Sequence, residues 1–497
     1  MYRIIRKADG SIERFKAHLV AKGFHQQEGV DFLETFSLVV KPTTVRMVLS
    51  VAISRGWHLR QIDVQNAFLH GFLNEDVYMA QPPDFLHPQY PQHMCTLHKS
   101  IYDLRQAPRA WFSHLTDKLQ AIGFKGSQVD HSLYVYQHGS ILLYFLIYVD
   151  DIILAGADLN FINHVISLLQ SDFPIKNLGE LSFFLGVEAI RSDEGLYLSQ
   201  RRYILDLLLR SKMDKSIPSI TPMSTFQILN KSDGAPFHDP YLYRSIVGGL
   251  QYLSFTKPEL AFVIHKVSKY MHDSKEPHWV AVKRILRYLK ETISHAILIQ
   301  PDHLLQLQTF SDVDWASDQD DKRSIGVYSV YLGKNLISWS CKKQPVARSS
   351  IEAEYKALAN AAAEIQWLKT LLSDLHVLTI HPPILWCDNI GAIYLTSNPL
   401  FHARTKHIEI DFHYVRDQVL NGQLNVRLIS TKDQYADALT KPLSSQRFKL
   451  LCDNLSVHSL PLRLRGHVEE QINMTSSTED SKFKTSATNL LSAKSIS

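Results

Sequence analysis

The run Leu142-Leu-Tyr-Phe-Leu-Ile-Tyr-Val-Asp-Asp-Ile-Ile-Leu-Ala155 sets two adjacent carboxylates, Asp150 and Asp151, in the middle of apolar sequence. Its β-branched and aromatic residues fit a buried strand or hairpin. It is too short and too interrupted to span a bilayer, which needs about 20 predominantly apolar residues. Taking like charges out of water side by side costs several kcal/mol per ion unless something cationic compensates them. Either the turn happens to be Asp-Asp and faces water, or a carboxylate pair is presented at a strand turn to hold Mg²⁺, a hard cation that takes oxygen ligands. The rest of the chain has to decide between them.

With 497 residues, 45% of them hydrophobic and 21% charged, the chain is long enough for two or three globular domains. A net charge of +4 is mild, so affinity for nucleic acid must come from local clusters. Cys95, Cys341, Cys387 and Cys452 lie far apart with no Cys-x-x-Cys pair, which argues against a disulfide framework or zinc ribbon. That usage fits a reducing compartment, so an intracellular location is expected, in a cytoplasmic particle or the nucleus. The N-terminus has no apolar signal region, and no membrane span or solenoid repeat is evident.

In chain order, residues 1–22 read as two strands around Asp9-Gly10. The second carries Arg14, Lys16, His18 and Lys22, either a solvated face or a grip on a triphosphate. Asp63 stands between Ile62 and Val64 in a short strand, a carboxylate where the pattern wants an apolar residue. Phe68 follows; a ring near a nucleotide site can exclude a ribose 2′-OH by bulk, although core packing is the default for any Phe. After a Pro-rich loop, Lys99 to Trp111 leads into an amphipathic helix ending near Ile122. Asp193-Glu-Gly195 marks a hairpin turn, and residues 201–211, 243–272 and 277–292 read as helices.

The ordered set Phe15-Lys-Ala-His-Leu-Val-Ala-Lys-Gly-Phe-His25, Ile62-Asp-Val-Gln-Asn-Ala-Phe68, Leu104-Arg-Gln-Ala-Pro108 and Tyr148-Val-Asp-Asp151 resembles the reverse transcriptase of copia-type LTR retrotransposons, particularly those of plants. The likeness continues through Leu178-Gly-Glu-Leu-Ser-Phe-Phe-Leu-Gly186, Leu242 to Tyr252 and His278 to Leu289. It implies an α+β right-hand polymerase of fingers, palm and thumb, with Asp63, Asp150 and Asp151 holding two Mg²⁺ ions, Mn²⁺ being the substitute. One ion would lower the pKa of the primer 3′-hydroxyl and the other would neutralise the triphosphate. Lys16, Phe68 and Gln106 would bind the nucleotide, Phe68 as ribose gate. Phe184 would lie in the primer grip, and Arg284 and Arg287, with Lys283 and Lys290, along the duplex backbone.

A second chemistry begins near Gln308. Thr309 to Ala316 reads as a strand bearing Asp312 and Asp314, followed by strands at 324–332 and 335–341 and a long helix from about Ser350. On that helix Glu354 shares a stripe with Leu358, Ala361, Ile365 and Leu368, whereas Glu352 falls with Lys356 and Gln366; Glu354 is therefore expected to face the sheet. Ile384 to Cys387 is a strand ending in Asp388, and Gln434 to Leu439 starts a helix carrying Asp437. This order resembles the ribonuclease H domain that follows reverse transcriptase in such elements, an α/β fold. Asp312, Glu354, Asp388 and Asp437 would there hold two metals and activate water against the RNA of a hybrid, with Asp314 the second candidate for the first position. His402, His407 and His413 lack cysteine partners, so hybrid contact by Arg404 and Lys406 is expected there rather than zinc.

The implied division is fingers and palm at 1–195, thumb and connection helices at 196–300, a ribonuclease H-like domain at 305–445, a C-terminal extension at 446–467 and a disordered tail at 468–497. The implied partners are an RNA template, a DNA primer, RNA–DNA hybrid and deoxynucleoside triphosphates, with no membrane; oligomeric state is not legible. Against this, His18 stands where the family usually carries Arg and Asp103 where it carries Gly, and the chain starts at the edge of the fingers. The alternative reading is a truncated relic that at most binds nucleic acid.

Overall fold

The structure, a computed structural model, describes residues 2–6, 11–17, 19–33, 35, 40–226, 228–397 and 408–461. They fall into two compact units, one of the described residues up to Val45 with Gly56–Leu181, the other of Arg46–Arg55 with residues 182–461.

The first unit contains β1 (Tyr2–Arg6), β2 (Ile12–Ala17), the start of α1 (Pro42–Ser54), β3 (His58–Val64), β4 (Phe72–Ala80), β5 (Met94–Lys99) and α2 (Ala107–Ile122). Then come β6 (Lys125–Gly126), β7 (Leu133–His138), β8 (Ile141–Tyr148), β9 (Asp151–Gly156), α3 (Leu159–Gln170) and β10 (Ile175–Glu180). β1 and β2 pair antiparallel as expected, and the Asp9-Gly10 turn lies outside the described residues. The main sheet is antiparallel in the order β10-β3-β9-β8-β7-β6. Ile62, Val64, Phe145, Ile147, Ile152 and Leu154 pack with Trp111 and Leu115 of α2 and Ile162 and Val165 of α3 in one core. Successive strand side chains point to opposite faces, so burying Ile62 and Val64 turns Asp63 away from those helices. α2 starts with Pro108 in its first turn, where the missing N–H costs nothing, and stops at Gly123 with φ 110°.

The second unit opens with a meander of β11 (Phe183–Phe184), β12 (Val187–Ser192) and β13 (Gly195–Ser199), followed by α4 (Arg201–Arg210), α5 (Pro240–Tyr252), α6 (Ala261–Ser268), α7 (Glu276–Glu291) and β14 (His295–Ile299). The single helix expected over 243–272 is two. Pro258 has no N–H and clashes inside a helix, so short 3-10 turns at Leu253–Phe255 and Pro258–Leu260 separate α5 from α6. The chain continues through β15 (Leu307–Asp314), β16 (Ile325–Leu332), β17 (Asn335–Lys343), α8 (Ser350–Asp374), β18 (Ile384–Cys387), α9 (Ile390–Ser397), α10 (Glu409–Leu420) and β19 (Asn425–Leu428). It ends in α11 (Ser445–Asn454) and β20 (Val457–Ser459). One sheet runs β11-β12-β13-β14-β20; the other runs β17-β16-β15-β18-β19, with β15, β18 and β19 parallel. This second sheet, with α8 and α10 packed on it, has the mixed α/β layering expected of residues 305–445. Asp437 lies on a 3-10 turn, Tyr435–Leu439, rather than at the start of an α-helix. Among the described residues no helix is long and apolar enough to cross a membrane.

Two polar devices stabilise the second unit. Arg46 is 3% exposed, donates to Ile337 O at 2.8 Å and Phe255 O at 2.9 Å, and lies 3.9 Å from the centre of the Trp339 ring. Burial lowers its guanidinium to about 9, against the opposing field of Glu364, so it stays charged at neutral pH. Arg46→Met leaves both carbonyls without that donor and is expected to cost about 3 kcal/mol in urea unfolding of the full chain. Arg46→Lys is expected to recover little of it, because an ammonium lacks the planar fork.

The second device is the loop after β15. Lys343 reaches Asp318 at 2.8 Å and Asp321 at 2.6 Å, while Lys269 pairs with Asp318 and lies 2.5 Å from Asp320. Burial alone would raise the Asp318 carboxyl, but hydrogen bonds from Lys269 and Lys343 take it well below the usual carboxylate range. A depressed carboxyl contributes stability above its unfolded pKa and loses it as pH falls towards the folded one. Thermal unfolding of Asp318→Asn is therefore expected to show a lower Tm at pH 7, a gap that narrows steadily below about pH 4.

Candidate active site

One end of the first unit's main sheet carries a carboxylate cluster. Asp63 and Asp151 stand directly opposite each other in the β3–β9 ladder, and Lys176 opposes Asp63 from β10. Val149 and Asp150 form the two-residue turn that closes β8 onto β9 through the Tyr148–Asp151 pair, and Val64 N donates to Asp150 O at 2.9 Å. All three carboxylates are half-buried, which removes the reading of a turn that merely faces water. Like charges directly opposite in a ladder destabilise it. The turn adds strain: Val149 has φ 54°, a left-handed conformation costing about 1–3 kcal/mol for a β-branched residue. The Trp111 indole N–H donates to Val149 O at 2.8 Å and fixes the turn from α2.

Tyr102, which the sequence reading passed over, borders the cluster. Burial raises its hydroxyl, and the charges of Asp150 and Asp63 raise it further. Phe68 meets the Tyr102 ring edge-on, centroids 5.5 Å apart, so the expected ribose gate neighbours the acids through Tyr102. Gln106 is different. It is 2% exposed, donates to Asp31 O at 3.2 Å and accepts from Gln26 Nε2 at 3.0 Å, so its amide ties loops together and is not presented to a nucleotide. Asp103 has φ 71° and an exposed side chain. A glycine there would ease a left-handed backbone, and Asp is among the residues that tolerate it. Lys16 pairs with Arg3 through the backbone, its side chain lying outside what is described, as do His18, Arg404 and Lys406.

The second cluster forms where β15 and β18 run parallel. Asp312 on β15 is 6% exposed, and Asp388 follows the last residue of the neighbouring β18. α8, capped by Ser349 Oγ accepting from Glu352 N at 3.2 Å, brings Glu354 to them at 7% exposure. Glu352 is also 7% exposed, contrary to its expected outward stripe; it pairs with Lys356 at 2.8 Å and accepts from Arg348 N at 2.8 Å. Thr440 donates to Asp312 Oδ2 at 2.9 Å, and Thr431 to Asp388 Oδ2 at 3.2 Å. Asp437, 4% exposed, meets Lys441 at 2.6 Å and Arg447 at 3.6 Å.

The electrostatics of this cluster are those of crowded anions. Burial, with the fields of Asp437 and Asp388 and against that of Lys441, raises Asp312 to about 7. Burial and then Asp312 and Asp388 raise Glu354 to about 9, and Glu354 Oε2 is buried without a hydrogen-bond partner. Asp314, also raised by burial, interacts with Lys266 and Lys441 instead and sits at the margin. Cys387 was not anticipated as a neighbour of the acids; its sulfur and oxygens of Glu354 and Asp388 lie within 4.8 Å of one another. A buried carboxylate oxygen with no donor, among oxygen-bearing anions, is what a site for a hard divalent cation offers.

Four residues expected to contact nucleic acid have partners within the chain or lie in its core. Phe184 is 4% exposed and belongs to the core beside a tight Leu185-Gly186 turn. Arg284 donates to Thr221 Oγ1 at 2.8 Å and Arg287 to Ile217 O at 2.6 Å, while Lys290 donates to Ser216 O at 2.7 Å. These cations hold the loop at 216–221 to α7 while their side chains stay partly exposed.

The profile of the reverse transcriptase (RNA-dependent DNA polymerase) family matches residues 3–225. The retrovirus-related Pol polyprotein from transposon RE2 of Arabidopsis thaliana is 49% identical over 91% of this chain and 31% of its own length. That from transposon TNT 1-94 of Nicotiana tabacum is 35% identical over 92% of this chain and 35% of its own. A solved foamy viral protease-reverse transcriptase in complex with RNA/DNA hybrid aligns with 80% of this chain and 46% of that one, at 11% identity and TM-score 0.42. The chain thus spans about a third of the length of the plant polyproteins it matches. With that match running through both acidic clusters, the chain belongs to the reverse transcriptase-bearing Pol polyproteins of plant copia-type retrotransposons.

Proposed function

We propose that this chain is an RNA-directed DNA polymerase with ribonuclease H activity, copying retrotransposon RNA into DNA. The observation that carries the proposal is the opposition of Asp63 and Asp151 beside Asp150, three carboxylates from two distant segments at one sheet end. Asp63, Asp150 and Asp151 would hold Mg²⁺, with Mn²⁺ as substitute, in the polymerising site, and Asp312, Glu354, Asp388 and Asp437 in the hydrolytic one. Bound there, divalent ions supply activation of the attacking oxygen and neutralisation of phosphate charge. The protein's own contribution is positional. The Trp111 hydrogen bond fixes the Asp150 turn, Phe68 and Tyr102 border it, and Thr440 and Thr431 orient Asp312 and Asp388.

The substrates of this reading are an RNA template, a DNA primer, deoxynucleoside triphosphates and RNA–DNA hybrid. The alternative is a truncated relic that at most binds nucleic acid, motivated in part by the exposed Asp103 carboxylate where the family carries Gly. The test is extension of a labelled primer on an RNA template with Mg²⁺, run beside Asp150→Asn and a chelator control. Extension well above both supports the polymerase; extension no better than Asp150→Asn favours the relic.

A further inference from the structure

The hydrolytic cluster contains a cation that the two-metal reading does not use. Lys441 Nζ lies 2.6 Å from Asp437 Oδ1, four residues along the chain. Its charge also acts on Asp312, Glu354 and Asp314. The carboxylates lie beneath it: the Asp437 side chain is 6% exposed and the Lys441 side chain 44%. The neighbouring Thr440 is 1% exposed and hydrogen-bonded to both Asp312 Oδ2 and Asp437 O, so the backbone is anchored beside a lysine side chain that is partly open to solvent. Below, Glu354 Oε2 is buried without a partner. A single ammonium cannot serve every carboxylate here, whereas a doubly charged ion can be shared among several oxygens.

We propose that Lys441 is the resident counter-ion of the hydrolytic cluster, paired with Asp437 when the site holds no divalent cation and released from it when one binds. The inference rests on the metal-holding reading of Asp312, Glu354, Asp388 and Asp437. Its consequence is that the protein pays for metal entry by breaking one ion pair, so Lys441 sets the divalent-ion concentration at which the site fills. Once released, the lysine is exposed to solvent and leaves Asp437 with Arg447 at 3.6 Å.

The experiment measures Mn²⁺ binding to the full chain without nucleic acid, by the loss of the free-ion electron paramagnetic resonance signal. Binding that disappears in Asp388→Asn is assigned to this cluster and thereby separated from binding at the other. Lys441→Gln is expected to tighten that component about tenfold, since one competing charge close to the ion is removed; Lys441→Arg is expected to stay near wild type. Unchanged or weaker binding in Lys441→Gln, with the Asp388-dependent component intact, overturns the counter-ion role and leaves the metal site standing. No Asp388-dependent binding in the wild-type chain overturns both. A second measurement needs no variant: amine acetylation of Lys441, read by peptide mass spectrometry, is expected to speed up severalfold when Mn²⁺ is added, with Lys334 as reference. An unchanged Lys441 rate overturns the proposal even if Lys441→Gln fails to fold.

Discussion

Asp151→Asn is expected to lower Mg²⁺-dependent primer extension on an RNA template by about a thousandfold or more, while raising the melting temperature of the metal-free chain. Both effects come from one contact. Asp151 faces Asp63 across the β3–β9 ladder, and Asp150 is the next residue in the turn. A fold does not gain from opposed like charges, and here they are accompanied by a valine at φ 54°. Asparagine keeps the size and the ladder while removing one charge, so repulsion falls and a metal loses a ligand. Single-nucleotide incorporation and thermal unfolding in chelator check the two halves on one preparation. A variant that lost both activity and stability would point to a structural role for Asp151.

Glu354→Gln is expected to reduce hydrolysis of the RNA strand in a hybrid by about a thousandfold, with primer extension close to wild type. In chelator the same variant is expected to be more stable by about 2 kcal/mol at pH 7. The sign follows from the raised carboxyl. Burial and the neighbouring acids take Glu354 to about 9, so the folded metal-free chain must hold a proton that the unfolded chain has released. Stability contributed by a raised group is complete below the unfolded pKa and falls away as pH rises towards the folded one. Glutamine removes that dependence, so its advantage should vanish near pH 4 and grow towards pH 9. Hybrid cleavage with labelled RNA, together with unfolding at those pH values, tests the pair; equal loss of extension and cleavage would show that the two clusters are not separate sites.

Most acids of the two clusters were legible because they stand out against a local pattern. Asp63 interrupts Ile62 and Val64, and Asp150 and Asp151 interrupt a run that becomes two core strands. Glu354 lay on the apolar stripe of a helix that does pack inward. Misreadings arose where tertiary contacts decide. Glu352 is buried despite its polar stripe, because Lys356 and the Arg348 amide satisfy it. Arg284 and Arg287 read as a basic face of α7; they also hold the loop carrying Ile217 and Thr221, and no periodicity announces a returning loop. Tyr102 and Cys387 gave no signal, since their nearness to the acids depends on pairing between distant segments. The Lys441 pair was legible in principle, being four residues from Asp437, but its value depends on the acids that folding gathers around it.

If Asp63 and the Asp150–Asp151 turn hold one metal site, Asp63→Asn disables it as thoroughly as a change in the turn itself. Primer extension on an RNA template should fall as far in Asp63→Asn as in Asp151→Asn, and the double variant should fall no further, since residues that act as one unit are not additive. Extension by Asp63→Asn within about tenfold of wild type, with the Asp151→Asn loss intact, would exclude Asp63 from the polymerising site.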